Sequence, residues 1–539
     1  MTALLLSLLL QAQAPAQAPA AAVPAPIPDP AVPGRGNPDL DVQHYELHLL
    51  LAPPQPRLSA WARVELQALR PLDQVELDLH HQLRVQSAHV GGESARFAQA
   101  RDRLRVRLPR RAAAGQVLAV ELRYGGPLPE EPSQGEPVGL LADARGLVSY
   151  LEPDGAHHFF PCNDHPSDKA RFDVVVRVPL GSYAAATGEL RGLGFEPGSR
   201  SFHWGTDRPT APYLLALAAG AYAPILRPGT PPLLDLAWPE DEEQVRNSLA
   251  DTARMIPFLA ERYGPYPFER YGHVFTARAV GGLENQTMTV LGREAGLDGD
   301  PALIVHELAH QWFGDWVSPR QWRDLWLNEG WATYLELRWR EAQGGAEERA
   351  RTLRPWRAST LRLAQRQSPW TLADPDPSNL FDADLVYNKG GMVLHLLAEY
   401  LGRQRFDAAA AQYLAAFGGG NAGTEDFQAA MAQAAGEDLG DFFRAWVYGR
   451  DVPVIESRLA VQARARGFHA VLRLRQTQDG PPYPFASRVR FTGAGGQGEA
   501  EVTVRFTGRE AQAYADLEFE PVAAELDPYR EVPWKAARD

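Results

Sequence analysis

The sequence predicts an α+β multidomain fold: a β-rich N-terminal domain, a mostly helical middle domain and a small C-terminal β-sandwich. Three observations carry this. At 539 residues the chain is too long for one hydrophobic core. Its apolar periodicity changes twice, from alternating to three-to-four spacing and back. Gly and Pro cluster between the alternating runs, where turns belong.

The elements follow in order. Val42–Leu50, Leu58–Leu69, Gln74–His80, Gln116–Tyr124 and Arg171–Pro179 alternate apolar with polar residues and read as strands of a domain over 41–224. Within it, Val148–Phe172 (VSYLEPDGAHHFFPCNDHPSDKARF) contains Glu152 and adjacent histidines. His157 and His158 would point to opposite faces of a strand and read as structural rather than as a second metal site. Over 225–450 the pattern turns helical: Asp241–Tyr263, Leu303–Phe313, Glu329–Glu341, Glu347–Gln365, Leu385–Leu401 and Asp426–Ala435, with a short strand-like section at Tyr271–Val290. Alternation returns over 451–539, in Val454–Arg464, Gly467–Arg475, Ser487–Phe491, Glu499–Phe506 and Ala515–Phe519.

Residues Ala3 to Leu10 form an apolar run too short to span a membrane, followed by Ala12-Gln13-Ala14. Residues 1–14 therefore read as a signal peptide, although positive residues before the run are missing, and 15–40 as an Ala/Pro-rich extended linker. This implies a secreted or periplasmic protein, or a cytoplasmic one if the segment is not a signal. A formal net charge of −13 argues against a nucleic-acid partner and suits amine-bearing ligands. With one cysteine, Cys162, no intrachain disulfide can form and no cysteine cluster competes for metal. No transmembrane segment or repeat is evident.

The chemistry concentrates in Pro301 to Tyr334, PALIVHELAHQWFGDWVSPRQWRDLWLNEGWATY. Asp300 can cap a helix, Pro301 fits its first position and Gly314 can end it. Positions four apart lie about 40° apart around such a helix, so His306 and His310 project side by side, as two imidazoles gripping one ion must. Glu307 stands one step round, able to reach a metal-bound water but poorly placed as a ligand. This is the zinc-hydrolase reading of H-E-x-x-H. A catalytic zinc takes three protein ligands. Glu329, eighteen intervening residues after His310 at the start of a helical pattern that stops near Gly344-Gly345, is the third candidate. Asp315 and Asp324 are candidates to orient the histidines.

These residues resemble the zinc aminopeptidases of the aminopeptidase N type, in the gluzincin clan. Besides the H-E-x-x-H stretch, Gly281-Gly282-Leu283-Glu284-Asn285 is similar to the family's G-x-M-E-N exopeptidase motif, with Leu for Met. Val386-Tyr387-Asn388-Lys389-Gly390 resembles the stretch holding the family's catalytic tyrosine, and the YLEP…FFPCNDHP segment its N-terminal domain. The likeness spans roughly residues 41–450. Asp315 stands where Asn is common and His165 where Glu is common, and the large helical cap of many members is not expected here.

The resemblance implies a zincin-type (thermolysin-like) catalytic domain with one Zn²⁺ per chain on His306, His310 and Glu329. Glu307 is then the general base, and Tyr387 stabilises the oxyanion. Glu284 and Glu152 take the free α-ammonium of a peptide, Gly281 and Gly282 let its backbone approach, and Val280 and Leu283 flank the first side chain. Three other readings remain: a zinc endopeptidase, a leukotriene-hydrolase-like epoxide hydrolase, and a non-catalytic binding protein on a zincin scaffold. Without a cap the site is expected to be open to longer peptides.

Overall fold

The computed structural model describes residues 29–279 and 281–537. The signal-peptide assignment, most of the linker and Val280 lie outside the described residues.

The N-terminal strands build an eight-stranded sheet around Leu40–Leu51. That strand pairs antiparallel with Arg57–Ala68 and parallel with Ala170–Pro179. In Arg57–Ala68 every second residue is buried, because one face lies on the core. A five-stranded sheet, containing Glu136–Ala142, Gly146–Tyr150 and Leu217–Gly220, carries the chain towards the middle domain. Glu152 lies two residues beyond its strand Gly146–Tyr150.

A third sheet of five strands opens the middle domain, with Gly282–Leu283 at its edge beside Thr289–Gly292. Strands Leu233–Ala237, His273–Thr276 and Thr289–Gly292 are buried throughout, as expected of strands covered on both faces. Helix Pro301–His310 packs on this sheet at Gly282–Leu283, Trp326–Arg366 packs on that helix, and Gly390–Leu401 packs on Trp326–Arg366. The C-terminal strands form one four-stranded and one three-stranded sheet, with Phe485 and Phe506 stacked at 4.7 Å. Trp446 Nε1 donates to Pro484 O at 2.7 Å and helix Gly390–Leu401 packs on strand Phe485–Gly493, so this sandwich buttresses the back of the helical domain. Among the described residues no helix is long and apolar enough to cross a membrane.

One local expectation is met and one is corrected. The helix from Trp326 ends at Gly345, where φ 67° and ψ −150° are non-helical, and a second helix runs on to Arg366. One left-handed glycine re-aims the chain, and the apolar pattern of 347–365 restarts the helix at once. His157 and His158 do not lie on a strand. They end a single 3₁₀ turn, Ala156–His158, with rings 4.5 Å apart. Nδ1 of His157 bonds Asp164 Oδ2 (2.8 Å) and that of His158 bonds Val138 O (2.9 Å). Burial lowers their pKa values to about 4 and about 3, so both are neutral.

One contact fixes the helical layer. A Cβ on Gly390 would stand 2.9 Å from the Cα of Gly330, and one on Gly330 would stand 3.1 Å from the Cα of Gly390. The two helices touch backbone to backbone there, one residue from Glu329 and three from Tyr387. Alanine at 390 gains up to about 1 kcal/mol of helix propensity, but backbone atoms cannot yield as a side chain can, and overpacking costs about 1–3 kcal/mol. Gly390→Ala is therefore expected to lower the unfolding free energy by about 1–2 kcal/mol, read as a shift of the urea midpoint at constant slope.

Candidate metal centre and cleft

The Asp300 carboxylate accepts from Ala302 N at 2.9 Å and Pro301 occupies the first turn, which starts the short helix Pro301–His310. His306 and His310 project from it with ring centres 4.9 Å apart. The outer nitrogen of each is engaged: His306 Nδ1–H donates to Glu336 Oε1 (2.7 Å) and His310 Nδ1–H to Phe313 O (3.2 Å). Their Nε2 lone pairs are thereby turned inward. Both converge on Glu329 Oε2, at 3.1 Å from His306 and 3.5 Å from His310. Ligand atoms on a tetrahedral ion with bonds of about 2.0–2.1 Å stand about 3.3–3.4 Å apart, so the donor set fits zinc in chemistry and spacing. Burial opposes ionisation of Glu329, but His310 and His306 hold it down at about 2, a carboxylate at any working pH.

The orienting residue is not one of those expected. Asp315 accepts from Gln311 Nε2 at 2.6 Å, and Asp324 accepts from Thr424 N and Oγ1 at 2.9 Å; neither is bonded to a histidine ring. Glu336 takes that part because it follows Glu329 by seven residues, two turns along one helix face. The spacing was visible in the sequence, as an acid two turns beyond the third donor.

Glu307 lies over the glycine strand. Any Cβ on Gly282 would overlap the Glu307 carboxyl, so only glycine fits there, while Gly281 has open space around it. Burial pushes the Glu307 carboxyl up to about 7, against the pull of His306 and His310. Leu283, expected beside the first side chain, is buried in the core instead, since successive strand residues face opposite ways.

Glu152 and Glu284 meet Glu329 with ligand atoms all within 4.8 Å of one another. One oxygen of Glu152 and one of Glu284 are buried without any hydrogen-bond partner. Burial raises both carboxyl pKa values; the charges of Glu284 and Glu329 push Glu152 further up, while for Glu284 the pull of His310 opposes the push of Glu329. A buried acid pair without a cation is costly, and a bound cation would relieve it.

Gln311, overlooked in the sequence, ties this corner together. Its Oε1 accepts from Thr287 N (3.0 Å) and Tyr266 OH (2.9 Å), and its Nε2 donates to Glu284 O (3.0 Å) besides Asp315. The loop needs such a tie because Thr287, β-branched, is held at φ +69°. Asn285-Gln286-Thr287 matches a glycosylation sequon, but Asn285 is fully buried and so cannot accept sugar.

Tyr387 comes from a π-turn, Ala383–Lys389, started by Asp382, whose side chain accepts from Asp384 N and Leu385 N. Its ring stacks on that of His306, centroids 6.1 Å apart and planes 15° apart. Burial and the nearby acids hold the phenol well above its ordinary pKa, so it stays a donor. Together these residues line one cleft of about 630 Å³, with Tyr150, Gln134, Asn379 and Phe381 on its walls.

A helix bearing H-E-x-x-H, a carboxylate from the next long helix and a flanking β layer define a class: this is the architecture of a gluzincin-type zinc metallopeptidase. The Peptidase M1 N-terminal domain profile matches residues 41–214 and the Peptidase family M1 domain profile residues 247–446. The M1 zinc metallopeptidase of Deinococcus radiodurans, solved as a mutant bound to a Tyr-Ser-Ala substrate, superposes with a TM-score of 0.71 at 32% identity. That match covers 79% of this chain and 98% of the other. A leucyl aminopeptidase of Saccharolobus solfataricus is 25% identical over 397 residues, 69% of this chain and 49% of its own length. The mitochondrial aminopeptidase 2 of Saccharomyces cerevisiae is 27% identical over 333 residues, 57% of this chain and 34% of its own. The chain belongs to peptidase family M1, and it spans half or less of the curated relatives it matches.

Loss of the Glu336 hydrogen bond frees the His306 ring to turn. Glu336→Ala is expected to weaken zinc binding by about 10–100-fold, measured by competition with a chromophoric chelator. Unchanged affinity would show that Glu336 does not orient the ring.

Proposed function

We propose that this protein is a zinc aminopeptidase that removes the N-terminal residue from peptides. The observation that carries this reading is the pair of buried, partnerless carboxylate oxygens on Glu152 and Glu284 beside the His306–His310–Glu329 donor set. A free α-ammonium supplies the cation they lack. An endopeptidase would bury an amide there and leave both acids unpaired, so the geometry favours the exopeptidase. All the donors and the base are present, which disfavours a purely binding role.

His306, His310 and Glu329 hold the ion. Zinc bound there supplies a Lewis acid that polarises the scissile carbonyl and brings the pKa of a water towards about 7. Glu307 takes the proton of the attacking water and delivers it to the leaving amine nitrogen. Its raised pKa suits both transfers. Tyr387 O–H donates to the oxygen that becomes negative as the tetrahedral centre forms. Gly281 and Gly282 line the cleft on an edge strand, where an extended substrate backbone can approach without meeting a side chain.

The same reading assigns 1–14 as a signal peptide, 15–40 as linker, and 41–224, 225–450 and 451–539 as the three domains, with the enzyme acting outside the cytoplasm. N-terminal sequencing of exported protein tests the first assignment.

Glu307→Ala is expected to abolish turnover of aminoacyl anilides while zinc content by metal analysis stays at one per chain. Tyr387→Phe should lower kcat by about 10²–10³ with little change in KM. Glu152→Ala and Glu284→Ala should raise KM for substrates with free N-termini, and equal cleavage of N-acetylated and free peptides by the native enzyme would refute the ammonium assignment.

A further inference from the structure

Seven carboxylates line the cleft, and among the described residues Arg340 is the one lysine or arginine that joins them. It sits on the helix of Glu329 and Glu336, eleven residues beyond Glu329, hence about 16 Å along the axis. The helix Pro301–His310 runs antiparallel to it: His306 meets Glu329 and Glu336, while Asp300 meets Arg340. The guanidinium at Asp300 is therefore about 9 Å along from His306, on the side away from His310. Glu284, by contrast, shares a donor cluster with His310. The two ends of the cleft thus differ, an acid pair at one and the Arg340–Asp300 pair at the other, with the ion donors between them.

Arg340 is not spent on its partner. Only Nη2 donates to Asp300, over long distances of 3.3 and 3.4 Å, and Asp300 is already occupied in capping its own helix. No other hydrogen bond engages the guanidinium among the described residues, and its side chain is 34% exposed. A planar fork with free N–H groups in a groove is suited to a carboxylate. Extended peptide advances about 3.3–3.6 Å per residue, so three or four residues span from the acid pair past the ion site to Arg340.

We propose that Arg340 is a specificity-determining residue that receives the α-carboxylate of tri- and tetrapeptides, so that short substrates are held by both termini. This rests on the aminopeptidase reading above. The test uses the zinc-loaded full chain with three substrates sharing one N-terminal residue: a tripeptide, its C-terminal amide, and an aminoacyl anilide. The native enzyme is expected to prefer the free tripeptide over its amide by about tenfold or more in kcat/KM, chiefly through KM. Arg340→Ala should bring that ratio close to one, and Arg340→Lys should keep part of it. A native enzyme indifferent to amidation, or a preference that survives Arg340→Ala, would overturn the assignment. Failure of the native enzyme to cut the anilide at all would instead remove the aminopeptidase reading itself.

Discussion

The structure depends on gathering four buried carboxyl groups around one cleft. Glu152, Glu284, Glu307 and Glu329 are all buried, and of the four only Glu329 has imidazole nitrogens within 3.5 Å. Burying one unpaired carboxylate costs several kcal/mol after relaxation, so the protein alone cannot favour this arrangement. On the proposed reading it becomes favourable when a divalent ion sits against Glu329 and the α-ammonium of a substrate against Glu152 and Glu284. The acids thus act as a built-in demand for two different cations, and each enters a position that the other does not satisfy. Glu307 stays between, half-titrated near neutrality, because burial and the two imidazoles pull its pKa in opposite directions.

Much of this was legible before any coordinates. The strands of 42–50, 58–69 and 171–179 and the sandwich of 454–506 were found within a few residues, because alternation is set by which face meets the core. That His306 and His310 lie side by side was legible because i, i+4 spacing is a geometric statement on its own. What failed were features set by tertiary contact. Gln311 looks like any polar residue after a helix, yet its value comes from four partners on three separate segments. Leu283 was assigned to the wrong face because strand orientation cannot be counted from a two-residue edge. Asp315 and Asp324 were close in sequence to the histidines but bonded elsewhere, and the true partner lay on the second helix.

The C-terminal sandwich contributes from behind. Helix Gly390–Leu401 packs on strand Phe485–Gly493, and Arg357 Nε, beyond the break at Gly345, reaches Val532 O at 2.9 Å, so the C-terminal domain braces the helical layer in which Gly330 and Gly390 touch. That contact sets how far Tyr387 stands from His306, which links a sheet with no part in the chemistry to the spacing of the reacting groups.

The π-turn at Ala383–Lys389 has one consequence of its own. Such a turn holds one more residue than an α-helical turn would. Its register therefore counts residues. Delete any one between 383 and 389, and relaxation to regular helix would swing the phenol about 100° around the axis, off the face of His306 altogether. Leu385, Val386 and Lys389 are buried there, so the turn is held by packing as well as by its length, and a deletion of a single codon would misplace the phenol even with every remaining side chain unchanged.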